Sequence, residues 1–133
     1  LDLLETSSGR VLLTFQNEKE RKRRLERRKF YMKIEQNNKV STLDLKKIEN
    51  KYSKNTIHKI LKNRCEVVKS LQIKGVTNIS VPIFDHTKNA IAALTIPFVH
   101  RIIKKDELSI KGVCNLLEIY CKKLSSAMGY GSK

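Results

Sequence analysis

Three side chains that can donate hydrogen bonds, Asn78, Ser80 and Thr95, lie in one stretch, GVTNISVPIFDHTKNAIAALTIP, at residues 75–97. The stretch is typical of two β-strands joined by the turn DHTKN, because residues alternate in type on either side of that turn. At this spacing all three side chains can share one face of a sheet. An amide and two hydroxyls can each donate to a carboxylate oxygen. These three side chains either line a pocket or simply face water, and the sequence pattern alone leaves both interpretations open.

A second polar group stands near the start of the chain, where Thr6, Ser7 and Ser8 precede the apolar run VLLTF. Each of the three is a favourable helix N-cap, so the pattern predicts a short helix from about residue 8 to residue 15. Ser7 and Ser8 are followed by Gly9, and backbone N–H groups at such a helix start favour an anion.

The sequence contains no catalytic constellation: no nucleophile stands beside a base, and no Gly-rich phosphate loop is present. The three cysteines, Cys65, Cys114 and Cys121, lack CxxC spacing, and the three histidines lie far apart. We expect no enzyme activity, no cofactor and no metal site, with the cysteines as buried, reduced thiols of a cytoplasmic protein. No apolar run approaches the ~18 residues that a membrane span requires, so we expect no membrane partner.

The net charge of +15 favours anionic partners. It is concentrated in NEKERKRRLERRK, residues 17–29, where eight of thirteen residues are Lys or Arg. Glu18 with Lys22 and Glu20 with Arg24 are i,i+4 pairs in the favourable order, which is typical of a solvated helix. Contact of this segment with nucleic acid is the alternative interpretation.

The remaining elements follow from periodicity. Segment 43–64 predicts two helical pieces, with Ser53 capping the second, and CEVVKSLQI after it predicts a strand. The last helix has one apolar stripe that ends at a glycine cap, Gly129. The stripe consists of Ile110, Val113, Cys114, Leu117, Cys121, Leu124 and Met128. These elements predict an α+β fold in which the last helix covers an antiparallel sheet. Segment 43–64 can alternatively be interpreted as a helix-turn-helix of a basic nucleic-acid-binding protein.

GVTNISVPIFDHTKNAIAALTIPF resembles the effector-binding domain of the IclR family of bacterial transcription factors. The family pattern has a Gly-Val/Leu pair, a strand ending Pro-Val/Ile-x-Asp, a short turn, and a strand ending Ala-Ala-Leu-Thr/Ser-Val/Ile. SSGRVLLTFQ (7–16) and LSSAMGYG (124–131) are similar to two further segments of that family. In LKNRCEVVKS, Arg64 and Cys65 stand where the family usually has a Gly-Tyr pair that opens a strand.

The resemblance implies a GAF-like antiparallel sheet with helices packed on one face and a small-molecule effector, often an organic or aromatic acid, on the other. It also implies a homodimer or tetramer that binds DNA through a separate N-terminal winged helix-turn-helix domain. Residues 1–133 would then be a single, partial effector-binding domain, truncated at its N-terminus and without the DNA-binding domain. A purely structural oligomerisation domain with a vestigial pocket is a further alternative.

Carried over position by position, the resemblance selects Asn78, Thr95 and Pro97 as effector-binding residues, with Ser7 and Ser8 as looser candidates. Ser80 is added by its alternation with Asn78 rather than by the resemblance. Pro97 replaces a serine of some members and Val68 replaces an acidic residue of others, which leaves a less polar or bulkier effector open.

Overall fold

The computed structural model describes residues 3–35, 50, 52–101 and 108–131. Four helices and three strands are bounded there. They are α1 (Ser7–Thr14), α2 (Glu18–Glu35), α3 (Lys54–Asn63), β1 (Glu66–Lys69), β2 (Val76–Phe84), β3 (Ala90–Val99) and α4 (Ile110–Ala127). The predicted α+β class is confirmed. Within the described residues, no helix is both long and apolar enough to cross a membrane.

Side-chain caps set where the short helices begin. The Thr6 hydroxyl accepts from the Gly9 backbone N–H at 3.1 Å, which starts α1 one residue earlier than the sequence predicted. Ser53 accepts from the Thr56 N–H at 3.2 Å and starts α3 as predicted. Such caps satisfy N–H groups that have no partner within the helix.

The strands form one antiparallel sheet in the order β1-β2-β3. Ser80 lies opposite Thr95, and Asn78 lies opposite Pro97 on β3 and Val68 on β1. Because directly opposed residues point to the same side of a sheet, Asn78, Ser80 and Thr95 share one face, as the alternation predicted. An irregularity of register between Ile83 and Phe84 marks the end of that regular pairing.

The opposite face of the sheet carries the main core. Ile79 and Val81 pack there against Val113, Leu117 and Cys121 of α4. All five side chains are buried. Covering these apolar groups is the dominant favourable contribution to folding this layer.

Helices cover both faces of the sheet, whereas the family resemblance implied helices on one face. On the polar face the Ser7 and Ser80 hydroxyls are 2.7 Å apart, so α1 lies against β2 on the side opposite α4. Small side chains at both positions allow this close approach of helix and strand.

The apolar stripe predicted for α4 is correct along its first three turns and wrong at its end. Leu124 and Met128 are 44% and 50% exposed, whereas Ser125 is 2% exposed. Ser125 stands four residues after Cys121 and therefore continues the buried side of the helix. Its hydroxyl accepts from the Phe84 N–H at 2.9 Å and donates to the Cys121 carbonyl at 2.6 Å.

Arg64 ends α3 in the left-handed conformation, with φ of 52°. Glycine adopts this conformation more readily than residues with a Cβ, so the turn keeps a glycine-like geometry although the residue is arginine. Gly129, with φ of 89°, follows α4 as predicted.

Helix α2 has the solvated character that its i,i+4 charges predicted. Glu18 pairs with Lys22 at 3.3 Å, and Glu20 pairs with Arg23 at 2.7 Å and Arg24 at 2.8 Å.

The alternative interpretation of segment 43–64 as a helix-turn-helix falls largely on residues outside the described part of the chain, since 43–49 and 51 are not described.

Candidate functional site

Three hydroxyl groups form a short chain across the polar face of the sheet. Ser80 Oγ lies 2.7 Å from Ser7 Oγ and 2.8 Å from Thr95 Oγ1. Ser80 is completely buried and Ser7 nearly so, with exposures of 0% and 3%. The Ser80 hydroxyl is therefore bonded to two neighbouring hydroxyls and has no exposed surface of its own.

A cavity of about 300 Å³ opens beside this chain, between α1, the first turn of α3, β1 and β2. Its lining combines donors, acceptors and both signs of charge. The lining residues are Glu5, Ser7, Arg10, Thr56, Glu66, Val68, Lys69, Leu71 and Asn78. The volume is at the lower end of the range for small-molecule pockets, which fits a compact ligand.

A buried ion pair forms one wall of the cavity. Arg10 Nε donates to both Glu66 carboxylate oxygens, at 2.8 and 3.0 Å, while Nη1 donates to the Leu4 carbonyl at 2.8 Å. The side chains of Arg10 and Glu66 are only 10% and 12% exposed. Burial raises the pKa of Glu66 above its ordinary value, and the hydrogen bond and charge of Arg10 oppose that shift. The ion pair therefore holds the two side chains of this wall in place, although burial disfavours the charged form of the Glu66 carboxylate.

The structure brings two of the six predicted site residues to the cavity itself. Ser7 and Asn78 line it. The other four do not: Ser80 lies beneath Ser7, and Thr95 lies beyond Ser80. The Ser8 hydroxyl turns to Thr6 Oγ1 at 3.4 Å, and Pro97 is exposed on β3 opposite Asn78.

Sequence reasoning missed Arg10, Glu66 and Lys69 as lining residues. Two signals were available: Arg10 interrupts an apolar helix one turn after Ser7, and Glu66 is an acid in a β-branched strand. Neither signal indicates a partner, because the two residues are 56 positions apart. Their proximity depends on the register that sets Glu66 opposite Ser80.

The lining offers a polar molecule both hydrogen-bond donors and acceptors. Lys69, Asn78 and Ser7 can donate to an anionic group. Glu5 and Glu66 can accept from a hydroxyl or amino group of the same molecule. In the part of the chain that the structure describes, no group of three or more His, Cys, Asp or Glu residues is placed to hold a metal ion.

The three cysteines are free thiols, and none of them is among the residues that line this cavity. Cys65 and Cys121 are buried and belong to the core beneath α4. Burial raises the pKa of Cys65 to about 12 and also raises the pKa of Cys121. Both are therefore protonated and poorly nucleophilic at neutral pH.

Comparison with known proteins places the chain in a family. Residues 1–125 match the sequence profile described as bacterial transcriptional regulator IclR, C-terminal. The fold is similar to that of the Agobacterium tumefaciens repressor BlcR, with 17% identity and a TM-score of 0.58, over 98% of this chain and 49% of that one. No curated protein matches the chain.

A domain of an IclR-family transcriptional regulator is also similar, with 20% identity and a TM-score of 0.55, over 94% of this chain and 65% of that one. The chain thus spans about half the length of BlcR, and at these identities the two structures show a shared fold alone. Because the profile covers residues 1–125 of 133, the chain belongs to the IclR family of bacterial transcriptional regulators and corresponds to their C-terminal domain.

Proposed function

We propose that this chain is the ligand-sensing module of an IclR-type transcriptional regulator and binds a small organic acid. The main support for this proposal is the cavity of about 300 Å³, whose lining includes Ser7, Asn78, Arg10 and Lys69. A few polar groups that meet in a small concave site are the usual basis of ligand orientation and specificity.

The hydroxyl chain gives the anionic end of the ligand a defined place. When a carboxylate accepts from Ser7, the Ser7 oxygen can accept from Ser80 and the Ser80 oxygen from Thr95. All three O–H groups then point toward the ligand, and such aligned chains strengthen one another at low dielectric. The Asn78 amide and the Lys69 ammonium, which line the same cavity, supply further donors.

Ligand binding would act on promoter affinity through a separate winged helix-turn-helix domain in a cytoplasmic homodimer or tetramer. A ligand shifts such an equilibrium only by its differential affinity for two arrangements of the assembly. The buried Arg10–Glu66 pair is suited to transmit the effect of ligand binding, because it joins α1, which carries Arg10, to β1, which carries Glu66.

The test is thermal unfolding of the chain against a panel of small carboxylates at fixed pH and salt. A ligand at about 100 times its Kd adds roughly 2.7 kcal/mol to the free energy of unfolding and moves Tm by several degrees. We expect Asn78→Ala to weaken binding by about 10- to 100-fold, the value of a lost hydrogen bond to a charged group.

Asn115→Ala is the matched control, because Asn115 is exposed on α4 and lies outside the cavity lining. Thr95→Val should produce a smaller loss than Asn78→Ala, since Thr95 acts through Ser80. Equal affinity of Asn78→Ala, Asn115→Ala and the parent chain for a proven ligand would exclude this cavity as the site.

A further inference from the structure

Helix α2 has one side packed against the rest of the domain and the other side in solvent. Leu25 and Met32 pack against the buried cluster around Leu13. In a helix with 3.6 residues per turn, the positions opposite Leu25 and Met32 form a second row. We call this row the outer side of α2; its four side chains are all exposed, and they are Arg23, Arg27, Phe30 and Ile34.

The helix is strongly cationic. It has nine Lys or Arg residues against four Glu residues, a net charge of +5 over a length of about 27 Å. Glu20 neutralises part of this charge through its pairs with Arg23 and Arg24. Among the described residues, no carboxylate forms an ion pair with Arg27. The charge of Arg27 is therefore available to an external anion.

Two exposed aromatic rings follow Arg27. Phe30 and Tyr31 are 61% and 50% exposed. Their rings meet edge to face, with centroids 6.0 Å apart and planes inclined by 71°, so neither ring covers the face of the other. The Arg27 guanidinium carbon lies 5.6 Å from the centre of the Tyr31 ring. Exposed rings beside a guanidinium group are the elements on which proteins stack the bases of an unpaired nucleic-acid strand.

The distribution of charge and apolar groups favours nucleic acid over other partners. A second copy of this surface would bring together two helices that each have a net charge of +5, and these repel. A helix that lies in a membrane interface buries one apolar side along its length. The apolar side of α2, with Leu25 and Met32, is already packed on the domain, and the outer side is apolar only near its end, at Phe30 and Ile34. A polyanion with unpaired bases matches both the cations and the rings.

We propose that the outer side of α2, together with the adjacent Tyr31, binds single-stranded nucleic acid without sequence preference. Phosphate groups lie beside Arg23 and Arg27, and bases stack on Phe30 and Tyr31. None of these side chains lines the cavity to which the organic acid is assigned. This binding is therefore independent of the proposed sensing function and of promoter recognition by a separate domain.

The probe is a fluorescein-labelled oligothymidylate of about 16 nucleotides, the upper end of common site sizes. It is titrated with the 133-residue chain at several salt concentrations, and binding is measured by fluorescence anisotropy. We expect saturable binding that is at least about fivefold tighter than binding to a duplex of the same length, because only unpaired bases can stack on the rings.

Three variants of α2 separate the contributions of rings and charge. Phe30→Ala and Tyr31→Ala should each weaken binding by about 5- to 150-fold, the value of one stacked base. Arg27→Gln should make the dependence of log K on log salt concentration shallower by about 0.7, the contribution of one phosphate contact to a single strand.

Helix α4 provides matched controls. Lys123 Nζ lies 5.5 Å from the ring centre of Tyr120, which is also exposed, but α4 has only three lysines and one glutamate. Tyr120→Ala and Lys123→Gln therefore remove an exposed ring and an exposed cation elsewhere, and both should leave binding unchanged. All these variants should keep Tm within about 3 °C of the parent, because substitutions of exposed side chains change stability little.

The proposal is overturned by absence of oligothymidylate binding, or by unchanged affinity in both Phe30→Ala and Tyr31→Ala. Equal losses in Arg27→Gln and Lys123→Gln would show an effect of net charge alone and overturn it as well. Tighter binding to the duplex would assign the surface to double-stranded DNA. Binding to phosphatidylserine vesicles that oligothymidylate does not reverse would assign it to lipid, and each of these two results excludes the proposal.

Discussion

The Arg10–Glu66 pair predicts an asymmetric response to removal of its two partners. In Arg10→Gln the Glu66 carboxylate loses two hydrogen bonds, at 2.8 and 3.0 Å, and its neighbouring positive charge. In Glu66→Gln the Arg10 guanidinium keeps its bond to the Leu4 carbonyl, and the new amide oxygen can still accept. We therefore expect Arg10→Gln to be the more destabilising change.

The magnitude follows from burial. Removing one partner of a fully buried pair costs about 3–5 kcal/mol, and the residual exposure of 10–12% at these side chains lowers that to about 2–3 kcal/mol for Arg10→Gln at pH 8. Glu66→Gln should cost about 1–2 kcal/mol, because part of the hydrogen bonding to the charged Arg10 is retained. At ~3–5 °C per kcal/mol in a chain of this size, the two variants differ in Tm by several degrees.

The pH dependence of the free energy of unfolding is the more discriminating test. Burial already raises the pKa of Glu66, and removal of Arg10 takes away the main opposing interaction. A carboxyl whose folded pKa exceeds its unfolded value binds a proton more readily in the folded chain, so stability falls as pH rises above the ordinary glutamate value. Arg10→Gln should therefore lose less stability at pH 5 than at pH 8, whereas the deficit of Glu66→Gln relative to the parent chain should shrink as pH rises over the same range, because only the parent retains the carboxyl whose pKa is raised.

Urea unfolding of the parent chain and both variants at pH 5 and pH 8 measures these differences directly. Equal costs for the two substitutions, or a deficit of Arg10→Gln that does not change with pH, would refute the assignment of a buried, ion-paired carboxylate at this wall of the cavity.

Three further outcomes follow from local geometry. Gly9→Ala should destabilise α1 by more than about 2 kcal/mol in urea unfolding, because a Cβ there would lie 1.9 Å from the Leu3 carbonyl oxygen; a neutral effect would mean that the N-terminal segment moves freely. Leu117→Ala should cost about 2–4 kcal/mol and Leu124→Ala under about 1, because Leu117 is 3% and Leu124 44% exposed; similar costs would contradict the burial of Ser125 in place of Leu124. Hydrogen bonds from two arginines lower the pKa of Glu20 to about 2, so its stabilising effect on α2 should persist on acidification until pH falls from 4.5 toward 2; an NMR titration midpoint near 4.5 would show that the pairs do not form in solution.

Much of the fold follows from patterns within a few residues of each other. Helix starts at Thr6 and Ser53 are set by a side chain three positions from the N–H it accepts from. The alternation of β2 assigns Ser80 to one face and Ile79 to the other without reference to the rest of the chain. Helix caps and strand alternation depend only on residues close together in the chain, so they can be predicted from the sequence.

At the end of the apolar stripe of α4, prediction from local periodicity fails. Periodicity assigns Leu124 and Met128 to the buried side, but burial also requires something to pack against. Ser125 is buried instead because the Phe84 N–H needs an acceptor at the end of the sheet. A backbone group 41 residues away thus decides which side of the last turn faces inward.

By itself the sequence determined the α+β class, the alternation of β2 and β3, and the shared polar face of Asn78, Ser80 and Thr95, because side-chain period and turn chemistry are local. Only the tertiary structure decided what that face does. It placed α1 on it, buried Ser80 between Ser7 and Thr95, and joined residues 10 and 66 into one wall of the cavity. Those partners lie 15 to 73 residues apart. Strand register and helix packing bring such positions together, and both are properties of the folded chain as a whole.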